Sequence, residues 1–304
     1  MKKLLLILLL LSLSAISFAK ETVTIIYGFS PADTQANYSR TLVEEANRIQ
    51  DKYTFLFDTR PGAGSSIAAK YVEHTPNTIL GTSAAFFIRP NFFPNESHDV
   101  NNFKELMPQC NAPMAVGSIK YKSWRDVPKN KTINVGVSGM GATSHLASLQ
   151  LKTQYPDIQP IPFKSTNDSV LSLVGGQIDL HVGFLGEMNE WVNKPGDGKM
   201  IILGVTGLRP LNGNPTLVSQ GFPSVLSNMD NPQHLVVSNN TPVEKFKEWR
   251  SILVKAAQAK SVQKSYAIDF CKPLDQMTDA EIQPWYLSQT HHWSKLASTV
   301  KLDK

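Results

Sequence analysis

Thr132-Ile133-Asn134-Val135-Gly136-Val137-Ser138 runs into Gly139-Met140-Gly141-Ala142 and then into the stretch from Thr143 to Thr153. The first segment is short, apolar and β-branched, which predicts a strand. The last places His145, Leu146, Leu149 and Gln150 at helical spacing, and the middle is a glycine-containing turn. Strand, tight turn and helix in that order make half of a βαβ unit, and such units build a mostly parallel sheet. On the C-terminal side, Pro160 to Phe163 predicts a strand, Asp168 to Val174 a helix and Ile178 to Gly183 a strand. Met200 to Thr206 closes that set.

A similar set lies upstream. Thr22 to Tyr27 predicts a strand, and Gln35 to Gln50 a helix through Tyr38, Leu42, Ala46 and Ile49. Tyr53 to Phe57 predicts a strand, Ser65 to Glu73 a helix after Gly62-Ala63-Gly64, and Thr78 to Gly81 a strand. Two short apolar runs, Ala112 to Ser118 and Leu235 to Ser238, flank the second set. Helical, amphipathic segments follow at Pro242 to Lys260 and Asp279 to Val300. An α/β protein of two lobes joined by two crossing strands accommodates this order. Residues 20–117 and 236–304 would form lobe one, and 118–235 lobe two. The alternative is one continuous six-stranded sheet, with the proline-punctuated stretch ending near Pro128 as an ordinary loop.

The composition excludes several classes. The 304 residues are 41% hydrophobic and 18% charged, enough for a large core without disulfide or metal staples. Two cysteines cannot build a zinc ribbon or a disulfide framework. A formal charge of +5, scattered along the chain, is no nucleic-acid footprint. Lys2 and Lys3 precede an apolar run from Leu4 to Phe18, and Ser17-Phe18-Ala19 is a small-x-small ending. This predicts a signal peptide over residues 1–19, cleaved to leave a net charge of about +3 and an exported protein. The run is short for a bilayer span.

Familiar catalytic motifs fail one by one. Gly136-Val137-Ser138-Gly139-Met140 has methionine where a hydrolase elbow needs its last glycine. Gly139-Met140-Gly141 is followed by Ser144 where a dinucleotide fingerprint needs its third glycine. His291 and His292 are adjacent on a predicted helix and point in different directions, so they cannot chelate one metal from one face. No catalytic residue, metal site or cofactor is expected.

What recurs is the polar turn between strand and helix: Ser30 to Gln35, Arg60 to Ser66, Thr82 to Ala85, Gly139 to Ser144 and Lys164 to Asp168. In an open parallel sheet such turns lie at the carboxyl edge, where ligands bind. Each ends at a helix N-terminus, where free amides and the helix dipole favour an anion. Ordinary helix caps use the same residue types. Five in register across two lobes predict a cleft for a small carboxylate.

Arg60-Pro61-Gly62-Ala63-Gly64 resembles the "RPGAG" turn of the extracytoplasmic solute receptors of tripartite tricarboxylate transporters, the Bug/TctC type. Ser138-Gly139-Met140-Gly141-Ala142-Thr143-Ser144-His145-Leu146 is similar to that family's "SSGxGSxSHL". Ile161-Pro162-Phe163-Lys164 with Gly175-Gly176-Gln177-Ile178-Asp179-Leu180 resembles "VPYKG…GGQVDL". Leu203-Gly204-Val205-Thr206, Arg209 and Pro215-Thr216 resemble "LAVT…R…PT". The likeness runs in order over nearly the whole mature chain. It implies a two-lobed, type II-like periplasmic binding protein that closes on a ligand. Such receptors bind citrate, C4 or C5 dicarboxylates, sometimes amino acids or aromatic acids. They deliver them to a permease with one large and one small integral subunit. A monomer is expected. The same fold could instead present its ligand to a sensor domain; a secreted α/β hydrolase is the remaining alternative.

From these considerations one ligand carboxylate is expected against the amides of Ala32, Asp33, Thr34 and Gln35 and the turn of Ser83, Ala84 and Ala85. Phe29 would be an apolar wall, with Ser30 beside it. Gly141, Ala142, Thr143 and Ser144, then Ser165, Thr166 and Asn167, would face them from lobe two. Asp179 enters through the GGQIDL resemblance. The family's first loop reads "PFxPGGxxD", whereas here Ala32-Asp33 replaces the glycines and Ala36 the aspartate. Asp33 would either cap the helix that follows or turn its charge on the ligand, and capping with a small dicarboxylate ligand is the expectation. An amino acid is the second choice. Cys110 and Cys271 would both fall in lobe one, and an oxidising compartment favours their pairing.

Overall fold

The computed structural model describes residues 20–196 and 198–300. The signal segment expected over 1–19 lies outside the described residues.

Two sheets divide the chain. The first contains β1 (Glu21–Tyr27), β2 (Tyr53–Thr59), β3 (Thr78–Ser83), β4 (Phe103–Ala112), β10 (Asn231–Ser238) and the short β11 (Lys272–Pro273). Their order is β11-β4-β10-β3-β1-β2. The second contains β5 (Met114–Ser118), β6 (Ile133–Val137), β7 (Ile158–Pro162), β8 (Leu180–Phe184) and β9 (Ile201–Val205), in the order β7-β6-β8-β5-β9. β1 pairs in parallel with β2 and β3, and β6 with β7 and β8, as the βαβ reading requires. The antiparallel members are β10, beside β3 and β4, the short β11, beside β4, and β5, beside β8 and β9. Pro160 and Pro162 fall on β7, an edge strand, where a missing N–H costs no ladder bond on the open side.

Helices connect the strands: α1 (Thr34–Ile49), α2 (Ser66–His74), α3 (Ala85–Phe92), α4 (Thr143–Leu151), α5 (Thr166–Val174) and α6 (Leu185–Val192). α7 (Val243–Ala257), α8 (Lys260–Ile268) and α9 (Asp279–Ser298) follow the last long strand. The helix expected over Pro242 to Lys260 ends at Ala257, and α8, which starts at Lys260, was not expected. One apolar cluster runs through both sheets, from Ile26, Leu80 and Phe86 to Val135, Leu146 and Leu180. Among the described residues no helix is long and apolar enough to cross a membrane.

The expected lobe boundaries shift by a few residues. Ala112 to Ser118 is not one strand, because Pro113 interrupts the ladder between β4 in the first sheet and β5 in the second. Met114 to Gly117 therefore join the second sheet, not the first. Asn231 to Leu235 join the first, as the amino-terminal half of β10. Both crossings run between the sheets beside the cleft, through Pro113 and through the segment leading to Asn231.

Candidate functional site in the cleft between the sheets

The carboxyl ends of β1, β3, β6 and β8 converge on one cleft. Phe29, Asp33, Gln35, Ser83 and Ala85 line it from the first sheet; Ser138, Ala142, Thr143, Ser144, Thr166, Gly183 and Phe184 line it from the second. Met114 and Asn231, on the crossing strands, form its floor. The cleft holds only about 20 Å³ of free space, room for one water, so a solute reaches it when the sheets part. Roomier grooves lie elsewhere on the surface, among them one of about 390 Å³ beside Pro90 and His98 and two larger ones. One, of about 480 Å³, sits beside Pro76 and Asn77 at the amino end of β3, and the other, of about 500 Å³, beside Trp285 and His292.

Most loop amides expected to bind a ligand are already engaged within the protein. Ala32 N–H donates to Ser30 Oγ (3.2 Å), and Asp33 N–H to Ser30 O (3.1 Å). Ala84 N–H donates to Asn231 Oδ1 at 2.8 Å, and the Ala84 side chain is buried in the core beneath the cleft. Gly141 N–H donates to His145 Nδ1 (3.2 Å) and Ala142 N–H to Gly139 O (3.3 Å). Burial holds the His145 pKa down to about 4, so the imidazole stays neutral and can accept that bond. Ser144 Oγ accepts from Ser138 N–H (3.0 Å), and Ser165 Oγ caps α5 by accepting from Asp168 N–H (3.1 Å). Thr34 opens α1.

Three buried polar atoms in the cleft have no hydrogen-bond partner among the described residues: Asp33 Oδ1, Gln35 Nε2 and Thr143 Oγ1. Their residues are 7%, 4% and 2% exposed. Gln35 is held with its amide nitrogen towards the cleft, because its Oε1 accepts from Tyr27 O–H at 2.9 Å. Asp33 occupies the N-cap position of α1 but makes no side-chain capping bond, so the expected cap is corrected: the carboxylate faces the cleft. Burial raises its pKa to about 7, against the Ser30 and Thr166 backbone amides that hydrogen-bond to it, with the Asp168 carboxylate adding to the rise. The Thr166 amide reaches it from the opposite sheet. Behind it stands Glu187, whose pKa burial and then the neighbouring Asp33 and Asp269 push well up. Tyr38 O–H donates to Asp269 at 2.5 Å.

Not every expected residue joins them. Ser30, Ala32, Gly141, Ser165 and Asn167 do not line the cleft, though Asn167 Nδ2 donates to Ala32 O from one lobe to the other (3.1 Å). Asp179 is misplaced by the resemblance. It precedes β8, at the amino end of the second sheet, where it accepts from Asn134 N–H (3.0 Å) and Lys120 Nζ (2.9 Å). The Arg60 to Gly64 turn lies beneath the cleft as a support. Gly62, Ala63, Gly64 and Ser65 all have positive φ, and Ser65 Oγ packs against Gly28 and accepts from Thr82 O–H. Met114, Ser138, Gly183, Phe184 and Asn231 were missed. Ser138 ends one predicted strand and Phe184 directly follows another, so applying the carboxyl-edge rule at both positions would have found them. Nothing local marks Met114 or Asn231, which the pairing of the crossing strands brings in.

Cys110 and Cys271 form a disulfide that ties β4 to the segment after α8, with Cα atoms 5.5 Å apart. Among the described residues no three of His, Cys, Asp and Glu converge as metal ligands.

No family model matches the sequence, and no curated protein matches it. Solved structures do. The periplasmic binding protein BugD superposes with a TM-score of 0.81 at 20% identity, covering 94% of this chain and 100% of its own. A R. palustris protein solved with adipate gives 0.79 at 20% identity, covering 93% and 98%. MatC from Rhodopseudomonas palustris, with bound malate, gives 0.78 at 17%, covering 92% and 100%. At these identities the likeness is one of architecture: the chain has the two-lobed α/β fold of the periplasmic solute-binding proteins.

Proposed function

We propose that the protein is a periplasmic solute receptor, exported by its N-terminal segment, that closes its two lobes on a small organic acid. It then delivers the solute to a tripartite tricarboxylate-type permease of one large and one small integral subunit. It works as a monomer, without cofactor and without turnover. The observation that carries this reading is the meeting of strand carboxyl ends from two sheets around Gln35 Nε2 and Thr143 Oγ1, buried donors with no partner among the described residues. Buried polar groups are rarely left unpaired, since each costs about 1–3 kcal/mol, and a ligand carboxylate would satisfy both. The sequence resemblance and the structural neighbours solved with adipate and malate point to the same solute chemistry.

A thermal-shift screen over mono-, di- and tricarboxylic acids and amino acids tests it, because a solute that binds only the folded protein raises the melting temperature. Calorimetry should then give one saturable site. Ala84 and Gly141 are poor places to block the cleft. Ala84 is in the core, and a side chain on Gly141, at φ +79°, would press on Arg89. Ser138 is half-buried at the cleft wall. Ser138→Trp should abolish binding while leaving the melting temperature of the solute-free protein within a few degrees. Undiminished affinity in that variant would remove the cleft from consideration.

A further inference from the structure

Resting on the cleft as the solute site, we propose that the solute is a zwitterion, a short amino acid whose ammonium group seats on Asp33 and whose carboxylate takes Gln35 Nε2 and the Thr143 hydroxyl. The unpartnered atoms divide by kind. Asp33 Oδ1 can only accept when ionised, Gln35 Nε2 can only donate, and Thr143 Oγ1 can donate to a carboxylate. A di-anion satisfies the two donors and leaves the acceptor facing a second negative charge. A molecule carrying both charges satisfies all three.

The electrostatic surroundings favour the same solute. Asp33 comes from the turn before α1 and is turned away from its own helix. The titratable groups that act on it across the cleft, Asp168 on α5 and Glu187 on α6, are both acids, so neither supplies a positive charge to neutralise it. Asp269, after α8, presses on Glu187 and on Tyr27 of β1, the tyrosine that holds Gln35. Arg40, further along α1, is spent outward: its guanidinium donates to Pro31 O at 2.6 Å and lies over the Phe57 ring. The Ser30 and Thr166 amides give Asp33 partial compensation, and a cationic nitrogen would complete it. An ammonium group has the donors and the charge to do so.

Calorimetry with matched probe pairs tests the proposal: L-alanine against L-lactate, L-aspartate against L-malate, and L-glutamate against 2-hydroxyglutarate. Within each pair only the ammonium is exchanged for a hydroxyl. At least one amino acid should bind more than tenfold tighter than its hydroxy acid. Asp33→Asn, nearly isosteric, should cut that amino acid's affinity by about 100-fold and bring the pair within a few-fold of each other. The pH profile supplies a second readout that a purely structural role for Asp33 would not move. With the Asp33 carboxyl titrating near 7, the amino acid should bind about 30-fold more weakly at pH 5.5 than at pH 8, since both of its own charges persist throughout. In Asp33→Asn that slope should vanish. Equal or tighter binding of the hydroxy or dicarboxylic acid overturns the zwitterion while leaving the cleft in place. If no acid of either kind binds, the cleft reading and the zwitterion fall together.

Discussion

Pro90 sits inside α3, so the Phe86 carbonyl one turn earlier loses its helical donor. His98 replaces it: Nε2 lies 3.0 Å from Phe86 O, and Nδ1 lies 3.0 Å from Ser66 Oγ. The arrangement needs a neutral imidazole that donates through Nε2 and accepts through Nδ1. Burial holds the His98 pKa at about 4, below the ordinary 6.5. A pKa depressed in the folded state contributes stability that is fully present above 6.5 and is lost as pH falls towards 4. Urea unfolding of the wild type and of His98→Gln isolates this residue from the buried carboxyls Glu105, Asp230 and Asp275, whose raised pKa values act with the opposite sign. The wild type's advantage should shrink by about 2–3 kcal/mol between pH 7.5 and 4.5. An advantage equal at both pH values would show that His98 does not titrate in the core. At this scale the sequence exposes residue types and hides their directions. Asp before a helix is a sound sign of a cap, yet Asp33 is drawn across the cleft to the Thr166 amide. Asp179 could have been excluded from the sequence, because the second residue of the strand predicted from Ile178 to Gly183 stands at its amino end, away from the ligand edge.

At the scale of elements, the parallel strands were legible because they are short, apolar and bounded by turns. β4 was not. Phe103 to Cys110 carries Lys104, Glu105, Pro108 and Gln109, and Glu105 and Gln109 are buried in full contradiction of any hydropathy pattern. Glu105 is stabilised by pairing that only the fold supplies. Glu105 Oε2 lies 2.9 Å from His234 Nδ1 on the neighbouring β10, itself half hidden in the sequence because Asn231, Gln233 and His234 are polar and Pro232 is a poor strand former. α3 was expected only as a helix opening after the Thr82 to Ala85 turn, and its extent was hidden because Pro90 inside it argues against a helix. The disulfide belongs to this layer. β11 is two residues long and hangs on the edge of β4, and Cys110–Cys271 fastens it there. Closing a loop of 161 residues contributes about 5 kcal/mol in the chain-entropy model. Unreduced, denatured protein should show no free thiol by mass. Reduction, or the double Cys110→Ser and Cys271→Ser exchange, should lower the unfolding free energy by about 3–5 kcal/mol. A loss below about 1 kcal/mol would mean that β4 holds β11 without the bond.

Across the whole molecule, closure is fastened at points remote from the polar cleft floor. Arg89 of α3 donates through Nη1 to Met140 O in the turn after β6 (2.7 Å), bridging the two lobes. Its stem packs against Gly64 on one side and Gly141 on the other, so the RPGAG and SGMGA turns meet at one arginine. Phe93 lies under the guanidinium at 4.3 Å, and Glu96 approaches at 3.4 Å, both from Arg89's own lobe. When the lobes part, the bond to Met140 breaks together with the stem's contact on Gly141. A hydrogen bond from a charged donor contributes about 1.5 kcal/mol, roughly tenfold in the ratio of closed to open molecules. Arg89→Met keeps the stem and removes the bond. Without added solute, the variant's radius of gyration by small-angle scattering should exceed that of the wild type. With a saturating solute the two curves should coincide, because ligand contacts restore closure. Affinity should fall by no more than the tenfold by which the equilibrium shifts, mostly through faster release. If the solute-free curves superpose, the closed form does not depend on this bridge. Closure would then rest on the floor strands and on the Asp33 and Asn167 contacts, and the same scattering comparison on Asn167→Ala would apportion what remains.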